Sequence, residues 1–412
     1  MTESIVASAE AGERPLDVLV VGAGLVGQAL TLALLRDNPD IRMALVDPAL
    51  ARVPALGCEA TCLDDFDLRV SALTDQSRRL FERLGAWAAI PRLQPYRRME
   101  VWDAEGTGSV QFDAADLHVP ALGHIVENRL ALAALWDRLQ AFANVQIVTT
   151  AVRSIGSTDT GGCTPVLLES GDTLHTRLIV GADGAYSRIR AWAGLPTREW
   201  DYGHSAIVAT IRCEQSMQQT AWQRFLPSGP LAFLPMPTDP TLASIVWSIE
   251  HEQAAQLMQL DDDAFLQALS QAFEYRLGAV VEISRRALFP LRQRHARRYW
   301  CPGIVLAGDA AHTIHPLAGQ GVNLGFKDVE VLAEELTRAF RRGLAPGSEA
   351  VLGRYQRRRE GDNLATMAAM EGFKRLFGAQ QPWVRLLRNE GMRQFDRLLP
   401  LKQHAMMKAM GL

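Results

Sequence analysis

The 412-residue chain has few cysteines, and their spacing suits neither cross-linking nor metal binding. There are five, an odd number, and no two form a CxxC pair. Cys58 and Cys62 lie four residues apart, but no second ligand pair follows, so we interpret them as core or loop thiols and predict no metal site. The same pattern argues against a disulfide framework, which fits a reducing cytoplasm.

Long apolar runs are also missing, so the sequence predicts no membrane-spanning helix. Residues 1–15 lack a basic start and an apolar centre, and we expect a loose tail there, not a signal peptide. The formal net charge is only −3, and no nucleic-acid partner is predicted. Residues 338–412, however, hold 15 Lys and Arg against 6 Asp and Glu. This basic end suits an anionic membrane or an acidic partner; the alternative is a solvated helical face.

The composition and pattern predict a folded α/β protein with an insertion. Hydrophobic residues make up 48% of the chain, and its length exceeds one ordinary core. Residues 17–21 and 43–46 are short apolar strands flanking a helix, which is a βαβ unit. Between Ser205 and Glu250 the pattern changes to strands with proline-rich breaks, which indicates an inserted antiparallel sheet. The last 65 residues are predicted to be helical, with turns at 378–382 and 399–400.

A glycine-rich turn lies between the first strand and its helix. Gly22 permits a tight turn, Gly24 lets the backbone approach a pyrophosphate, and Gly27 lets helix and strand pack closely. Asp47 follows Gly27 by twenty residues, at the end of the next strand, where a carboxylate accepts hydrogen bonds from an adenosine ribose. The pattern predicts a dinucleotide site but does not separate NAD from FAD, and a structural glycine turn is the alternative.

Two further motifs separate the two cofactors. Residues 178–184 run from a strand into the turn Asp183-Gly184, which alone we would interpret as an ordinary capped turn. Residues 308–325 read GDAAHTIHPLAGQGVNLG, and so many small residues before a long helix indicate close approach of the backbone to a ligand. Asp309 is placed to hold a ribityl hydroxyl, and residues 319–323 put free N–H groups where a reduced flavin carries negative charge.

In this order, the three motifs resemble those of the single-component aromatic flavoprotein hydroxylases. The run 308–325 looks like that of the ubiquinone-biosynthesis hydroxylases, and the likeness extends from about Asp17 to the end through segments 68–72, 122–128, 200–202 and 408–412. Segments 200–212 and 372–377 are most similar to the members that hydroxylate 2-polyprenylphenol (octaprenylphenol) at ring position 5. Sister enzymes that act at other ring positions share the cofactor motifs.

The resemblance implies a p-hydroxybenzoate-hydroxylase-like α/β fold. Its parts are a Rossmann-like FAD-binding domain, an inserted antiparallel-sheet substrate domain and a helical C-terminus. The expected division is 15–95, 125–195 and 291–375 for the FAD-binding domain, 96–124 and 196–290 for the substrate domain, and 376–412 for the C-terminal helices.

The family pattern also implies roles for single residues, with FAD as cofactor and NAD(P)H as a transient electron donor. No second GxGxxG exists, so the donor has no Rossmann site of its own. The implied cofactor-binding residues are Gly22, Gly24, Gly27 and Asp47 for the adenosine diphosphate part, Arg69 and Asn128 near the cofactor, Asp183 and Gly184 for FAD and nicotinamide, Asp309 for the ribityl chain, and Pro316, Gly319, Gly321 and Asn323 for the isoalloxazine.

On these motifs we hypothesise that NAD(P)H reduces the flavin, which adds O2 to form a C4a-hydroperoxide that an electron-rich phenol attacks. His124, His204 and His312 are candidate bases for the phenol proton. A core or surface histidine is the preferred interpretation for each, so no catalytic side chain is assigned. His315 follows His312 by three residues, but no third ligand accompanies them and no metal is predicted.

A polyprenylated phenol resides in membrane, so the resemblance implies a cytoplasmic enzyme that visits the inner membrane surface. Residues 383–410 mix basic and large apolar side chains, which fits an interfacial helix, a contact with biosynthetic partners, or a helix packed on its own body. A homo-oligomer also stays open. Trp222, Phe225, Phe233 and Trp247 either line an apolar substrate pocket or form sheet core.

Three other functions stay open on the sequence. A hydroxylase of a soluble phenolic acid would share the motifs but should offer an arginine to the substrate carboxylate. A flavin halogenase requires a WxWxIP motif, which the sequence lacks. A non-catalytic FAD-stabilised scaffold would consume NADPH without forming a product.

Overall fold

The computed structural model describes residues 14–53, 57, 59–313, 321–379 and 381–411. Its helices are α1 (Leu25–Asp37), α2 (Asp75–Arg83), α3 (Asn128–Leu139), α4 (Arg188–Trp192), α5 (His251–Gln259), α6 (Asp262–Ala272), α7 (Gly321–Arg341), α8 (Glu349–Gly378), α9 (Pro382–Arg397) and α10 (Leu399–Met410). None of these helices combines the length and the apolar character needed to cross a bilayer.

The strands form four sheets. In chain order they are β1 (Val18–Val21), β2 (Met43–Val46), β3 (Val70–Leu73), β4 (Gln94–Tyr96), β5 (Arg98–Asp103), β6 (Ser109–Asp113), β7 (Gly123–Glu127), β8 (Val145–Val148), β9 (Val152–Ile155), β10 (Thr164–Leu168), β11 (Thr173–Thr176), β12 (Ile179–Gly181), β13 (Thr197–Cys213), β14 (Thr220–Leu226), β15 (Gly229–Pro235), β16 (Leu242–Glu250), β17 (Val280–Ile283), β18 (Ala287–Ala296), β19 (Trp300–Cys301), β20 (Ile304–Leu306) and β21 (His312–Thr313).

The first sheet has the order β19-β20-β12-β1-β2-β8 and is parallel except for the β19–β20 hairpin. Every residue of β1, β2, β12 and β20 is buried, because helices cover both faces of a parallel sheet and its central strands are therefore apolar throughout. The predicted βαβ unit is confirmed as β1, α1 and β2.

The largest sheet has the order β21-β18-β13-β16-β15-β14-β5-β6, with β17 also paired to β13. Its pairs are antiparallel except β14–β5. The predicted inserted antiparallel sheet is thus present, and the early strands β5 and β6 complete one edge of it. We call this sheet the large sheet below.

The two faces of the large sheet are covered differently. Trp222, Phe233 and Trp247 face α5 and α6 and belong to a core that includes Phe265. These three are sheet core and not pocket residues. Phe225 has the opposite parity in β14, so it faces the other way and stacks on Phe377 with ring centroids 3.8 Å apart.

Three of the expected boundaries fall inside strands, one falls inside a helix, and all four are corrected. The boundary between 95 and 96 cuts β4, and the boundary between 375 and 376 cuts α8. The boundary between 124 and 125 cuts β7, which pairs with β3 and β4 in a separate three-stranded sheet. The boundary between 290 and 291 cuts β18, because Pro290 lies within a ten-residue strand although proline usually marks a strand end. A second three-stranded sheet, β11-β10-β9, was not predicted; its strands are only four or five residues long.

The C-terminal helices pack on the large sheet through buried polar contacts. The Arg388 guanidinium on α9 donates to Asp103 with an Nε–Oδ2 distance of 2.7 Å, and both side chains are almost fully buried. Asn389 also donates to Asp103, at 2.9 Å, and accepts from the Gly108 amide at 2.6 Å. Lys402 on α10 lies 3.4 Å from Asp116. One side of these helices is therefore packed on the protein's own body.

Replacing Asp103 by alanine should destabilise the docking of α9, because it leaves the Arg388 charge buried without a partner. Breaking such a pair typically costs about 3–5 kcal/mol of unfolding free energy, measured here by chemical denaturation of the FAD-loaded protein. The control is Glu371→Ala, which breaks an exposed pair with Arg375 and should cost below about 1 kcal/mol. Equal, small losses in both variants would contradict the assigned role of Asp103.

Candidate cofactor and substrate site

Four parallel strands end side by side at one edge of the first sheet. The register pairs Val21 with Val46 and with Gly181, and Gly181 with Leu306. The loops that follow these strands carry the glycine turn, Asp47, the turn at 182–184 and the run that begins at Gly308. Motifs far apart in the sequence therefore meet where open α/β sheets bind ligands, and a cleft of about 1050 Å³ lies there.

Most of the implied cofactor residues line this cleft. They are Gly22, Gly24, Asp47, Arg69, Asn128, Asp183, Gly184, Asp309 and Gly321. Gly27 and Asn323 lie behind its wall. Pro316 and Gly319 fall outside the described residues.

The glycine turn is held by very close backbone contacts. Gly22 has φ +102°, and a Cβ there would lie 2.3 Å from the Ala182 carbonyl oxygen; a Cβ at Gly27 would lie 1.9 Å from that of Gly22. A Cβ at Gly24, in contrast, would meet nothing within 4 Å. The N-terminus of α1 has no side-chain cap, so its N–H groups and partial positive charge suit a pyrophosphate in the space before Gly24.

The carboxylates at the cleft retain capacity for ligand hydroxyls. Asp47 accepts from the amides of Ala23 and Ala49, one on each oxygen, both at 2.7 Å. Asp183 caps α4 with Oδ2 only, and its Oδ1 is buried with no hydrogen-bond partner in the part of the chain that the structure describes. A buried oxygen without a donor is uncommon in proteins, and a ligand hydroxyl or water would satisfy it.

Asp309 and Arg69 stand in the same cleft. Desolvation by the surrounding protein raises the pKa of Asp309, with Asp328 adding repulsion while His312 and Arg69 oppose the rise. The Arg69 guanidinium lies 5.8 Å from the centre of the Phe289 ring. Backbone donors, carboxylates and an arginine in one cleft form a donor set that fits the pyrophosphate, ribose and ribityl groups of FAD.

The 308–325 motif is anchored from behind by Asp328, which is fully buried on α7. Its carboxylate accepts from the Gly308 amide at 3.0 Å and from Arg359 Nε at 2.7 Å, and it lies 2.6 Å from His312 Nε2. Asn323, near the start of α7, donates to the Ala72 carbonyl at 2.8 Å and accepts from other groups of that region. The Asn323 side chain therefore points away from the cleft, and only its backbone remains available to a cofactor.

None of the three candidate histidine bases is among the residues described as lining the cleft. His312 is in the core beside Asp328. His124 packs edge-on against Trp87, and burial, with repulsion from Arg78, lowers its pKa to about 4. His204 lies on β13 opposite Glu250 and Leu291. Among the residues that the structure describes, which do not include His315, no histidine lines the cleft. This fits a reaction whose chemistry the cofactor carries.

Sequence reasoning missed one whole wall of the cleft, which the large sheet supplies. Its apolar side chains there are Ala206, Val208, Val246, Phe289 and Leu291. Side chains alternate between the two faces of a strand, so residues 206 and 208 could be assigned to one face from the sequence. The sequence did not show that this face borders the cleft. Asp67, Arg129, Arg188 and Trp192 were missed as well, because they lie beside the motifs and not in them.

Comparison with known proteins identifies the family. Residues 15–368 match the FAD binding domain family. The chain belongs to this family of FAD-dependent monooxygenases. FAD is its cofactor, an aromatic compound and O2 are its substrates, and NADH or NADPH is the electron donor typical of the class.

Relatives and solved structures agree with this assignment. The Escherichia coli (strain K12) 3-demethoxyubiquinol 3-hydroxylase is 37% identical over 402 residues, covering 97% of this chain and 99% of the relative. The Xenopus tropicalis ubiquinone biosynthesis monooxygenase COQ6 is 35% identical over 446 residues, covering 96% and 93%. The p-nitrophenol 4-monooxygenase PnpA from Pseudomonas putida DLL-E4 superposes with a TM-score of 0.75 at 17% identity, covering 96% and 98%. The predicted family and fold class are confirmed.

Two alanine substitutions in the glycine turn should separate folding from cofactor binding. Gly27→Ala forces a methyl group against the Gly22 carbonyl and should cost the apoprotein about 3 kcal/mol or more. Gly24→Ala meets no protein atom but occupies the space before α1, so it should weaken FAD binding about tenfold, or about 1.4 kcal/mol, at unchanged apoprotein stability. Thermal unfolding of apoprotein and FAD titration are the measurements. Wild-type FAD affinity in Gly24→Ala would refute the pyrophosphate assignment.

Proposed function

We propose that this monooxygenase hydroxylates the aromatic ring of a polyprenylated intermediate of ubiquinone biosynthesis. The observation that carries the proposal is the end-to-end likeness to a hydroxylase named for a ubiquinone precursor, over 97% of this chain and 99% of the relative. Such coverage includes the C-terminal helices as well as the cofactor motifs, so the likeness is not confined to the groups that bind FAD.

Different residues of the cleft would bind different parts of FAD. Bound FAD, once reduced by NAD(P)H, supplies the chemistry that transfers one oxygen atom of O2 to the ring and releases the other as water. The glycine turn and the N-terminus of α1 would hold the pyrophosphate, Asp47 the ribose and Asp309 the ribityl chain. The family resemblance also implies that Arg69, Asn128 and the 183–184 turn would contact the cofactor.

The large sheet supplies a dry surface for the reacting ring. Its cleft-facing side chains at 206, 208, 246, 289 and 291 are apolar, and an apolar wall excludes water from the reaction. A phenolic acid would call for an arginine here, and Arg292 on β18 does line the cleft beside these apolar side chains. The soluble phenolic acid considered from the sequence therefore stays an alternative substrate.

Two ring positions remain candidates for hydroxylation. Segments 200–212 and 372–377 favour position 5, whereas the name of the Escherichia coli relative specifies position 3. Both activities use the same cofactor chemistry, so the position depends on how the ring is held and not on the motifs.

Cells that lack this protein and any redundant hydroxylase should accumulate a ubiquinone precursor, which mass spectrometry of the lipid extract identifies. Accumulated polyprenylphenol would indicate position 5, and an accumulated demethoxy intermediate would indicate position 3; either should disappear when the gene is restored. Purified protein given the accumulated compound, NAD(P)H and ¹⁸O₂ should place one labelled oxygen on the ring.

The control is the Gly24→Ala variant, which should restore ubiquinone only weakly. Normal ubiquinone with no accumulated precursor would refute the pathway assignment. Oxidation of NAD(P)H without any ring product would instead favour the scaffold function.

We further propose that the outer side of α9 and α10 meets the membrane that holds the substrate. Trp383, Leu386 and Leu387 on α9 are 63%, 73% and 65% exposed. Leu398, between the two helices, and Leu401 on α10 are exposed as well. Exposed Arg393, Arg397 and Lys408 lie among them. Large apolar side chains beside basic ones are the composition of a surface that enters the headgroup region of an anionic bilayer.

Leu386→Asp combined with Leu401→Asp should lower binding to anionic phospholipid vesicles about tenfold, because apolar contact is lost and negative charge is added. Co-sedimentation with vesicles measures the binding. The control is Leu344→Asp, at an exposed leucine outside these helices, which should bind as the wild type does. Unchanged binding in the double variant would rule out this surface.

A further inference from the structure

A second cavity, of about 800 Å³, lies between the large sheet and helices α8, α9 and α10. Its size falls within the roughly 300–1,000 Å³ of small-molecule sites. None of its lining residues is shared with the cofactor cleft. We call it the tail cavity, for the reason argued below.

The walls of the tail cavity are almost wholly apolar. The larger side chains are Met99, Met370, Met392, Met406, Met410, Phe112, Phe225, Phe373, Phe377, Phe395 and Trp383. Methionine is unbranched and adapts to ligands of irregular shape. Such walls suit a long, flexible hydrocarbon better than a compact polar molecule.

The few polar groups in these walls offer no free charge to a ligand. The Arg388 guanidinium forms an ion pair with Asp103 and donates hydrogen bonds to the carbonyls of Leu376 and Phe377 at 2.9 and 3.0 Å. Burial raises the pKa of Tyr96 to about 12, so its hydroxyl stays neutral. Gln223 and Thr74 are uncharged. The expected ligand is therefore uncharged along the whole part that enters this cavity.

The tail cavity and the cleft lie along the same face of the large sheet. The register pairs Val246 with Ala232, Ala232 with Gln223, and Gln223 with Val101, so these side chains share a face. Val246 lines the cleft, whereas Gln223 and Val101 line the cavity. Two strand spacings separate Val246 from Gln223, or about 10 Å. Ala232 lies between the two sites and is buried, so a ligand with its head in the cleft reaches the cavity by displacing the groups that cover Ala232.

We propose that the tail cavity binds the isoprenoid tail of the substrate whose ring is hydroxylated in the cleft. The inference rests on the proposed function and extends it to the part of the substrate that does not react. The cavity opens beside Trp383 and Leu387, which line it and are also exposed. A tail longer than the cavity would emerge there, among the apolar side chains of α9.

Gly391→Phe on α9 tests the proposal by filling the cavity. Gly391 lines it, and a Cβ there would meet nothing within 4 Å, so the ring occupies space that the tail would use. Two substrates with the same phenol ring are compared, one with a single isoprene unit and one with a long polyprenyl chain. The variant should lower kcat/KM about tenfold for the long substrate and less than twofold for the short one, because only the long chain loses apolar contacts.

Controls separate cavity filling from damage to the helix. Gly391→Ala adds one methyl group and should behave as the wild type. Gly361→Phe places the same ring at an exposed helical glycine with open space around it, on α8 and away from the cavity, and should also behave as the wild type. If Gly391→Phe fails to retain FAD, Ala405→Phe on α10 fills the same cavity. An equal loss for both substrates, or none for the long one, would overturn the proposal.

A binding measurement that needs no hydroxylation separates the tail-cavity proposal from the proposed function. Farnesol, an isoprenoid alcohol with no aromatic ring, should raise the thermal midpoint of the FAD-loaded wild type and of Gly361→Phe, since a ligand of the native state stabilises it, but not that of Gly391→Phe. Stabilisation by farnesol with no hydroxylation of either phenol would sink the proposed function and keep the cavity assignment. Hydroxylation of both phenols without stabilisation by farnesol would overturn the cavity assignment alone.

Discussion

A carboxylate without solvent contact stays ionised only where cations and hydrogen-bond donors surround it, and Asp328 is such a group. Burial alone would raise the pKa of Asp328, but its interactions with His312 and Arg359 outweigh this and hold the pKa below its usual range. Gly308, which also donates to it, closely follows β20 of the parallel sheet, and His312 begins β21 at the edge of the large sheet. One buried charge thus joins the two sheets whose meeting forms the cleft.

The large sheet serves two sites because its two faces differ. One face is closed by α5 and α6, and the other passes from the cofactor cleft to the helices of the C-terminus. On the proposed function, the ring of the substrate would bind at the cleft and its tail in the tail cavity, and one face of the large sheet borders both. The buried pair of Asp103 and Arg388 keeps α9 over that surface.

Local patterns were enough to predict the cofactor half of the site. A strand, a glycine turn and a helix in immediate succession leave little freedom, because Gly22 and Gly27 have room only for hydrogen at the α position. Asp47, Asp183 and Asp309 were each implied as cofactor contacts, and the structure brings them to one cleft because parallel strands align their carboxyl ends. Histidines carry no such constraint. His312 proved to be a partner of Asp328, sixteen residues away, which its neighbours in the sequence did not show.

The sequence by itself determined the family, the use of FAD and the division into a parallel sheet and an inserted sheet, since each rests on short-range patterns. Only the tertiary structure decided which helices or cavities each face of a strand contacts. Alternation shows that Trp222 and Phe225 point to opposite sides, but not that one side holds α5 and α6 and the other a cavity. That depends on contacts between β14, near residue 225, and helices near residue 380. Contacts between segments so far apart in the sequence do not change the hydrophobic pattern of either segment. The wall of the cleft and the tail cavity could therefore be identified only from the tertiary structure.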